Sequence, residues 1–188
     1  VMKGIIDSAP DISKIDVTPT GYSTTVLAAN GEETATLVGQ GANRQYVTID
    51  EIPLDLQHAF VAIEDERFYD HNGIDLHGIG RAFISGLSKG RFSEGASTIT
   101  QQLIKNNVLT SWTSETSFVE KLQRKIQEQY LALELEKQVN DKDWILENYM
   151  NSVNLGANTL GVQAASKKYF NKDVSELTLS EASVIAGI

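Results

Sequence analysis

A chain of 188 residues is long enough for one domain with a real core and too short for two full ones. Its net charge of −9 argues against a nucleic-acid surface, although a local basic cluster can still bind a phosphate. With no cysteine it has no disulfide, thiolate nucleophile or Cys-ligated zinc, and no apolar run reaches the roughly 18–20 residues of a membrane span. The first 50 residues hold most of the strand signal. Residues 22–27 and 34–38 flank Asn30-Gly31, and Asn-Gly between β-formers predicts a hairpin. Two strands alone are marginal, so the hairpin is expected to pack on the rest of the chain, with a further extended piece at 44–47.

From Asp50 onward the pattern is helical. Pro53 suits a first helical turn, and Leu56, Phe60 and Ile63 recur at helical spacing. A second helix is predicted over 76–87, with Ile79, Phe83 and Leu87 on one face, and Gly90 and Gly95 break it in a loop. A third starts near Ser97, whose hydroxyl suits an N-cap. A long fourth covers 117–137, with further helices over 142–151, 162–169 and 180–188. The prediction is a mainly α protein with a small N-terminal β-hairpin region: residues 1–50 form an extended segment packing on a main domain of residues 51–188. The chain begins without Met and stops in an apolar run, as an excised piece of a longer protein would, and without a membrane span it is expected to be water-soluble.

Three segments carry chemistry. Glu64-Asp65-Glu66 ends the apolar run of residues 59–63, where desolvation readies a carboxyl for proton transfer; the plain alternative is a solvated helix end. His71, a single histidine before Asn72-Gly73, reads as a structural hydrogen-bonding residue. Next, Ser97, Gln101 and Lys105 fall at i, i+4 and i+8, with Gln102 beside Lys105, forming either a polar solvent face or a platform for an anion or sugar. In the long helix, Leu122, Ile126, Tyr130 and Leu133 form an apolar stripe opposite Lys121, Arg124, Lys125 and Glu128. Leu131 and Leu135 continue the charged side, which is therefore expected to be partly covered. Trp144, Ile145 and Tyr149, with Gly161, Ala164 and Ala165, read as close helix packing, and Asn151 and Gln163 read first as scaffold.

In this order, Glu64-Asp65 with Phe68 and His71, the string Ser97-Thr98-Ile99-Thr100-Gln101-Gln102-Leu103-Ile104-Lys105-Asn106, and Arg124-Lys125 before Glu128 strongly resemble glycosyltransferase family 51. These are the peptidoglycan transglycosylase domains of class A penicillin-binding proteins and of monofunctional transglycosylases. The resemblance implies a lysozyme-like transglycosylase fold that polymerises lipid II into glycan strands, with inversion at C1 of MurNAc and release of undecaprenyl diphosphate. It maps the catalytic base onto Glu64 and the second essential carboxylate onto Glu128, acting directly or through a divalent cation such as Mg²⁺ or Mn²⁺. Ser97, Gln101, Gln102, Lys105, Arg124 and Lys125 become substrate-binding residues. The partners implied are lipid II, the nascent glycan strand and the membrane surface, met through the region around Phe83 and Phe92. A membrane anchor before Val1 and a transpeptidase domain after Ile188 are also implied, at the extracytoplasmic face of the bacterial cytoplasmic membrane. One departure stands out: relatives commonly carry an Arg shortly before the basic pair, and residues 111–120 contain no Arg or Lys. A lysozyme-like glycan-cleaving enzyme and a non-catalytic module binding lipid II or a divisome partner are the alternative readings.

Overall fold

The computed structural model describes residues 2–14, 16–37, 44–89, 96–110 and 114–188, with the side chains of Glu33, Thr36 and residues 83–89 left aside. Among these, the fold is mainly α with one small β hairpin. In chain order come α1 (Met2–Asp7), β1 (Thr24–Leu27), β2 (Glu33–Leu37), α2 (Leu54–Glu64), α3 (Leu76–Lys89) and α4 (Ile99–Asn107). Next are α5 (Phe118–Val139), α6 (Lys142–Met150), α7 (Val162–Phe170) and α8 (Leu179–Ala186). The short helix α1 lies in the region expected to be extended. The expected loop at Gly90 and the side chains of Phe83, Leu87 and Phe92 lie outside the described residues.

The chain folds as two compact units, Val1–Val17 with Phe60–Leu146, and Thr18–Ala59 with Glu147–Ile188. In the first, α4 and α5 form the core. The buried residues of α4 are Ile99, Thr100, Gln101, Leu103 and Ile104, and those of α5 are Glu128, Leu131, Ala132, Leu135 and Glu136. The charged side of α5 is thus the covered one, as Leu131 and Leu135 imply. The expected apolar stripe is the more open side, with Leu122 and Leu133 exposed. Two buried polar partners make this packing tolerable. Glu136 accepts a hydrogen bond from Thr100 Oγ1 at 2.5 Å and pairs with Lys142 at 2.6 Å. Lys142 also sits 4.4 Å over the Phe68 ring.

In the second unit, β1 and β2 pair antiparallel, Thr24 opposite Leu37 and Val26 opposite Ala35, with a bulge between Val26 and Leu27. The side chains of β1 are exposed throughout. Residues 44–47 lie outside β1 and β2. Asn151 takes the place of a neighbouring strand: its Oδ1 accepts from Val47 N–H at 3.0 Å and its Nδ2 donates to Val47 O at 2.8 Å. Gln163 serves similarly, accepting from Val174 N–H at 2.8 Å and donating to Asp173 at 2.7 Å. Both amides are scaffold. Gly161 meets the close approach expected of it, since a Cβ there would lie 2.8 Å from Asn151 O.

Candidate active site

Helix α2 ends at Glu64, and the chain then turns into a loop fixed by Asp65. The buried Asp65 carboxylate accepts from His71 Nε2 at 2.9 and 3.0 Å and from the backbone N–H of Ile99, the first residue of α4, at 3.0 Å. His71 Nδ1 accepts from Gly73 N–H at 3.1 Å, which assigns the imidazole proton to Nε2 and leaves it to donate to Asp65. The histidine is structural, as expected. Gly73 O in turn accepts from Thr98 Oγ1 at 2.7 Å and from Gln101 Nε2 at 3.3 Å. Gly73 has φ +88°, and a Cβ on it would lie 2.7 Å from Ala132 O of α5. The loop after Glu64 is therefore stapled to the start of α4 and laid directly on the α5 backbone.

This staple brings Glu64 alongside α4, where Gln102 Nε2 donates to Glu64 Oε2 at 2.7 Å. Glu64 is half-buried. Phe60 and Val61 are buried, but Ile63 is exposed, so the apolar run covers only one side of the carboxylate. The other side opens on a pocket lined by Glu64, Asp75, Arg81, Ser97 and Thr98. Charges along its rim are paired. Arg67 holds Asp75 at 2.5 Å and Glu66 at 2.7 Å, and Arg81 holds Glu66 at 3.0 Å. Burial works against the Asp75 carboxylate, yet Arg67 and the Gly78 N–H outweigh it and keep its pKa below the usual range.

The second group lies on α5 and the residue before the α4 cap. Glu128, at i+4 from Arg124 and i+3 from Lys125, is wholly buried. Arg124 Nη1 donates to its Oε1, and Lys125 Nζ lies 2.8 Å from its Oε2 as an ion pair. The hydrogen bond of Lys125 goes to Ser97 Oγ, at 2.7 Å. Arg124 Nε meanwhile donates to both oxygens of Glu115 at 2.9 Å. Burial disfavours the Arg124 cation, but Glu115 and Glu128 overcome this and raise its pKa above the ordinary value.

Glu64 with Gln102, and Ser97 with Lys125, Arg124 and Glu128, are thus gathered on one unit, and Ser97 shares a pocket with Glu64. Lys105 stands half-buried one turn beyond Gln101 on α4. One expectation needs correction. Thr98, not Ser97, is the N-cap of α4, accepting from Gln101 N–H, so Ser97 lies before the helix and is not part of a helical stripe. Gln101 is only 2% exposed, and its amide donates to Gly73 O, bracing the loop. Glu115 and Arg81 join the site without any signal in the local sequence. Their partners are nine and fifteen residues away, beyond the reach of helical spacing.

Residues 30–188 match the model of a family described as Transglycosylase. The chain belongs to this transglycosylase family. Penicillin-binding protein 1A of Clostridium botulinum is 49% identical to it over 152 residues, 78% of this chain and 17% of that protein. Penicillin-binding protein 1F of Bacillus subtilis is 44% identical over 166 residues, 88% of this chain and 22% of that protein. Penicillin-binding protein 1A/1B of Bacillus subtilis is 38% identical over 185 residues, 98% of this chain and 19% of that protein. The chain spans about a fifth of the length of these relatives. The resemblance drawn from the motifs therefore holds, and both groups of charged residues lie within the transglycosylase match. Among the described residues no helix is long and apolar enough to cross a membrane.

Within the transglycosylase site, Glu128 is the residue expected to hold Mg²⁺ or Mn²⁺. Such hard cations take about six oxygen ligands, largely carboxylate, carbonyl and water. Glu128 brings one carboxylate, and its two oxygens face Arg124 and Lys125 at ion-pair distance. Glu115, the nearest second carboxylate along this chain of contacts, is spent on the same guanidinium. This arrangement does not fit a protein-held divalent cation.

Proposed function

We propose that this transglycosylase domain is a peptidoglycan glycosyltransferase that polymerises lipid II into glycan strands at the outer face of the bacterial cytoplasmic membrane. The observation that carries this reading is one accessible carboxylate, Glu64 held by Gln102, next to a separate basic group built on Arg124 and Lys125. A glycan-cleaving enzyme needs the carboxylate but has no diphosphate to release, and the basic group would then have no task.

Glu64 takes the proton from the 4-hydroxyl of the acceptor's GlcNAc as that oxygen attacks C1 of the donor's MurNAc. The C1–O bond to the diphosphate breaks with its electron pair, which leaves on undecaprenyl diphosphate, and a single displacement inverts C1. Proton removal by a positioned carboxylate contributes about 10² to 10⁴ in rate. Charge stabilisation on the leaving group is expected to contribute more, and Arg124, Lys125 and Lys105 supply it. Buried Glu128 keeps Arg124 and Lys125 fixed and cationic, so their charges are in place before the diphosphate arrives. The lipid tails fit the same scheme if the region around Phe83 and Phe92 meets the membrane, and in a parent of the relatives' length a membrane anchor and a penicillin-binding transpeptidase domain would accompany this one.

Incubation with labelled lipid II tests the reading. Formation of glycan polymer, lost in Glu64→Gln, supports it. Fragments released from sacculi would favour cleavage, and lipid II binding without turnover would reduce the domain to a recognition module.

A further inference from the structure

Resting on the proposed function, in which Arg124 meets a diphosphate, we propose that Glu115 is a built-in competitor for that diphosphate. Its carboxylate occupies Arg124 in the ligand-free domain and must release it for the donor to bind.

The charges make the case. Arg124 and Lys125 are the two cations of the group, and Glu115 and Glu128 are the two carboxylates that hold them. With Glu115 in place these four charges cancel, so Arg124 and Lys125 offer an arriving anion no net positive charge. With Glu115 withdrawn, one positive charge is left over. The two carboxylates are not equal in their freedom to leave. Glu128 sits inside a 22-residue helix with its side chain 1% exposed, so removing it from its partners would strand a buried charge. Glu115 lies outside the helix, two residues before the N-cap Ser117, and its side chain reaches solvent at 12%.

The local chain supports a carboxylate that swings while its neighbours stay fixed. Ser117 and Glu120 form a reciprocal capping box, and Glu120 Oε2 accepts from both Thr116 and Ser117 N–H at 3.0 Å. The backbone right after Glu115 is therefore pinned whether or not Glu115 holds Arg124. Both Glu115 oxygens converge on the single N–H of Arg124 Nε, a shared hydrogen bond and not a two-pronged one. A diphosphate, with more charge and several oxygens, is the stronger partner for the same guanidinium. Glu115 would then act as a specificity device: a singly charged anion gains little by displacing a carboxylate, whereas a diphosphate gains.

Calorimetry with inorganic pyrophosphate and with acetate as probes tests this on the chain as it stands, using Glu115→Gln, Arg124→Ala and the double variant. Pyrophosphate should bind Glu115→Gln on the order of tenfold more tightly than the unchanged chain, because one opposing charge is gone. The gain should disappear in the double variant. Acetate should improve in Glu115→Gln by more than that factor, which narrows the preference for pyrophosphate. If Glu115→Gln bound pyrophosphate no better, or more weakly, while Arg124→Ala lost it, then Glu115 merely positions Arg124 and the competitor idea is wrong. If Arg124→Ala left pyrophosphate binding unchanged, the assignment of Arg124 to the diphosphate would itself fall, and this inference with it. Thermal unfolding of each variant, close to that of the unchanged chain for Glu115→Gln, excludes a collapse of the α5 start as the cause.

Discussion

Gln102 Nε2 donates to Glu64 Oε2 at 2.7 Å across 38 positions of sequence, joining the end of one helix to the side of another. The bond engages one carboxylate oxygen, Oε2. Geometry of this kind matters because a general base must hold its oxygen within hydrogen-bond reach of the proton it removes. Glu64→Gln preserves volume and removes the base, so polymer formation from labelled lipid II should fall by about 10² or more. Gln102→Leu keeps the base and frees its rotamer, and the expected loss is about tenfold, in kcat and not in KM. Retention of more than about a tenth of the activity by folded Glu64→Gln would remove it from the role of base.

Arg124 also has a structural place in the fold. It is the partner of the buried Glu128 carboxylate, whose remaining ion pair is with Lys125. Arg124→Ala should cost about 3 kcal/mol in urea unfolding, the usual penalty for breaking a buried pair from one side. It should also weaken pyrophosphate or lipid II binding by about 1.5–3 kcal/mol. Lys105→Ala should weaken the same ligands by the lower end of that range and leave urea stability nearly unchanged. Equal unfolding midpoints for Arg124→Ala and the unchanged chain would mean Glu128 finds another partner.

The loop behind Glu64 has its own weak point. Gly73 combines φ +88° with a position where a Cβ would lie 2.7 Å from Ala132 O, a backbone atom that cannot step aside. Gly73→Ala should therefore destabilise the fold by about 2 kcal/mol or more, since the left-handed conformation alone costs about 1–2. Activity should fall further than stability does, because displacing the loop moves Asp65 and with it the start of α4. A variant with unchanged melting and activity would show that the loop is not fixed to α5.

Helix positions are largely legible in the sequence because apolar spacing, Ser117 and the breaks at Asn140 and Gly161 act locally. The family is legible too, since Glu64, Ser97, Arg124, Lys125 and Glu128 stand in the order of its motifs, and its model matches residues 30–188. Features that depend on partners far along the chain are not. No local rule says that Gln101 turns inward to Gly73 while Gln102 turns outward to Glu64; one position of helix rotation decides it. The covered side of α5 is legible only through Leu131 and Leu135, which continue the charged face, whereas the apolar spacing of Leu122 and Leu133 marks a side that is exposed at both residues. The hairpin announces itself by its Asn30-Gly31 turn, and β1 and β2 pair across it.

Acid should loosen the C-terminal helix through one carboxylate. Glu181 accepts from Lys172 Nζ at 2.7 and 3.0 Å, and from Thr178 N–H and Oγ1 at 2.9 Å each, closing the capping box of α8. The Lys172 bond, aided next by the Thr178 bonds, brings its pKa down from the usual 4.5 to about 2. A carboxyl with a depressed folded-state value binds protons more readily in the unfolded chain. Its contribution to stability is therefore complete above about pH 4.5 and is lost as the pH falls towards about 2. Glu181→Gln can still close the cap, because an amide oxygen accepts from Thr178 as a carboxylate does, so the variant isolates the charge. At pH 6 it should unfold at a lower urea concentration than the unchanged chain. The gap should narrow between pH 4.5 and 2 and vanish below that, and 1 M salt should shrink it at pH 6 because the pair is partly open to solvent. Midpoints that stay a constant distance apart across this range would show that the Glu181 charge does not stabilise α8.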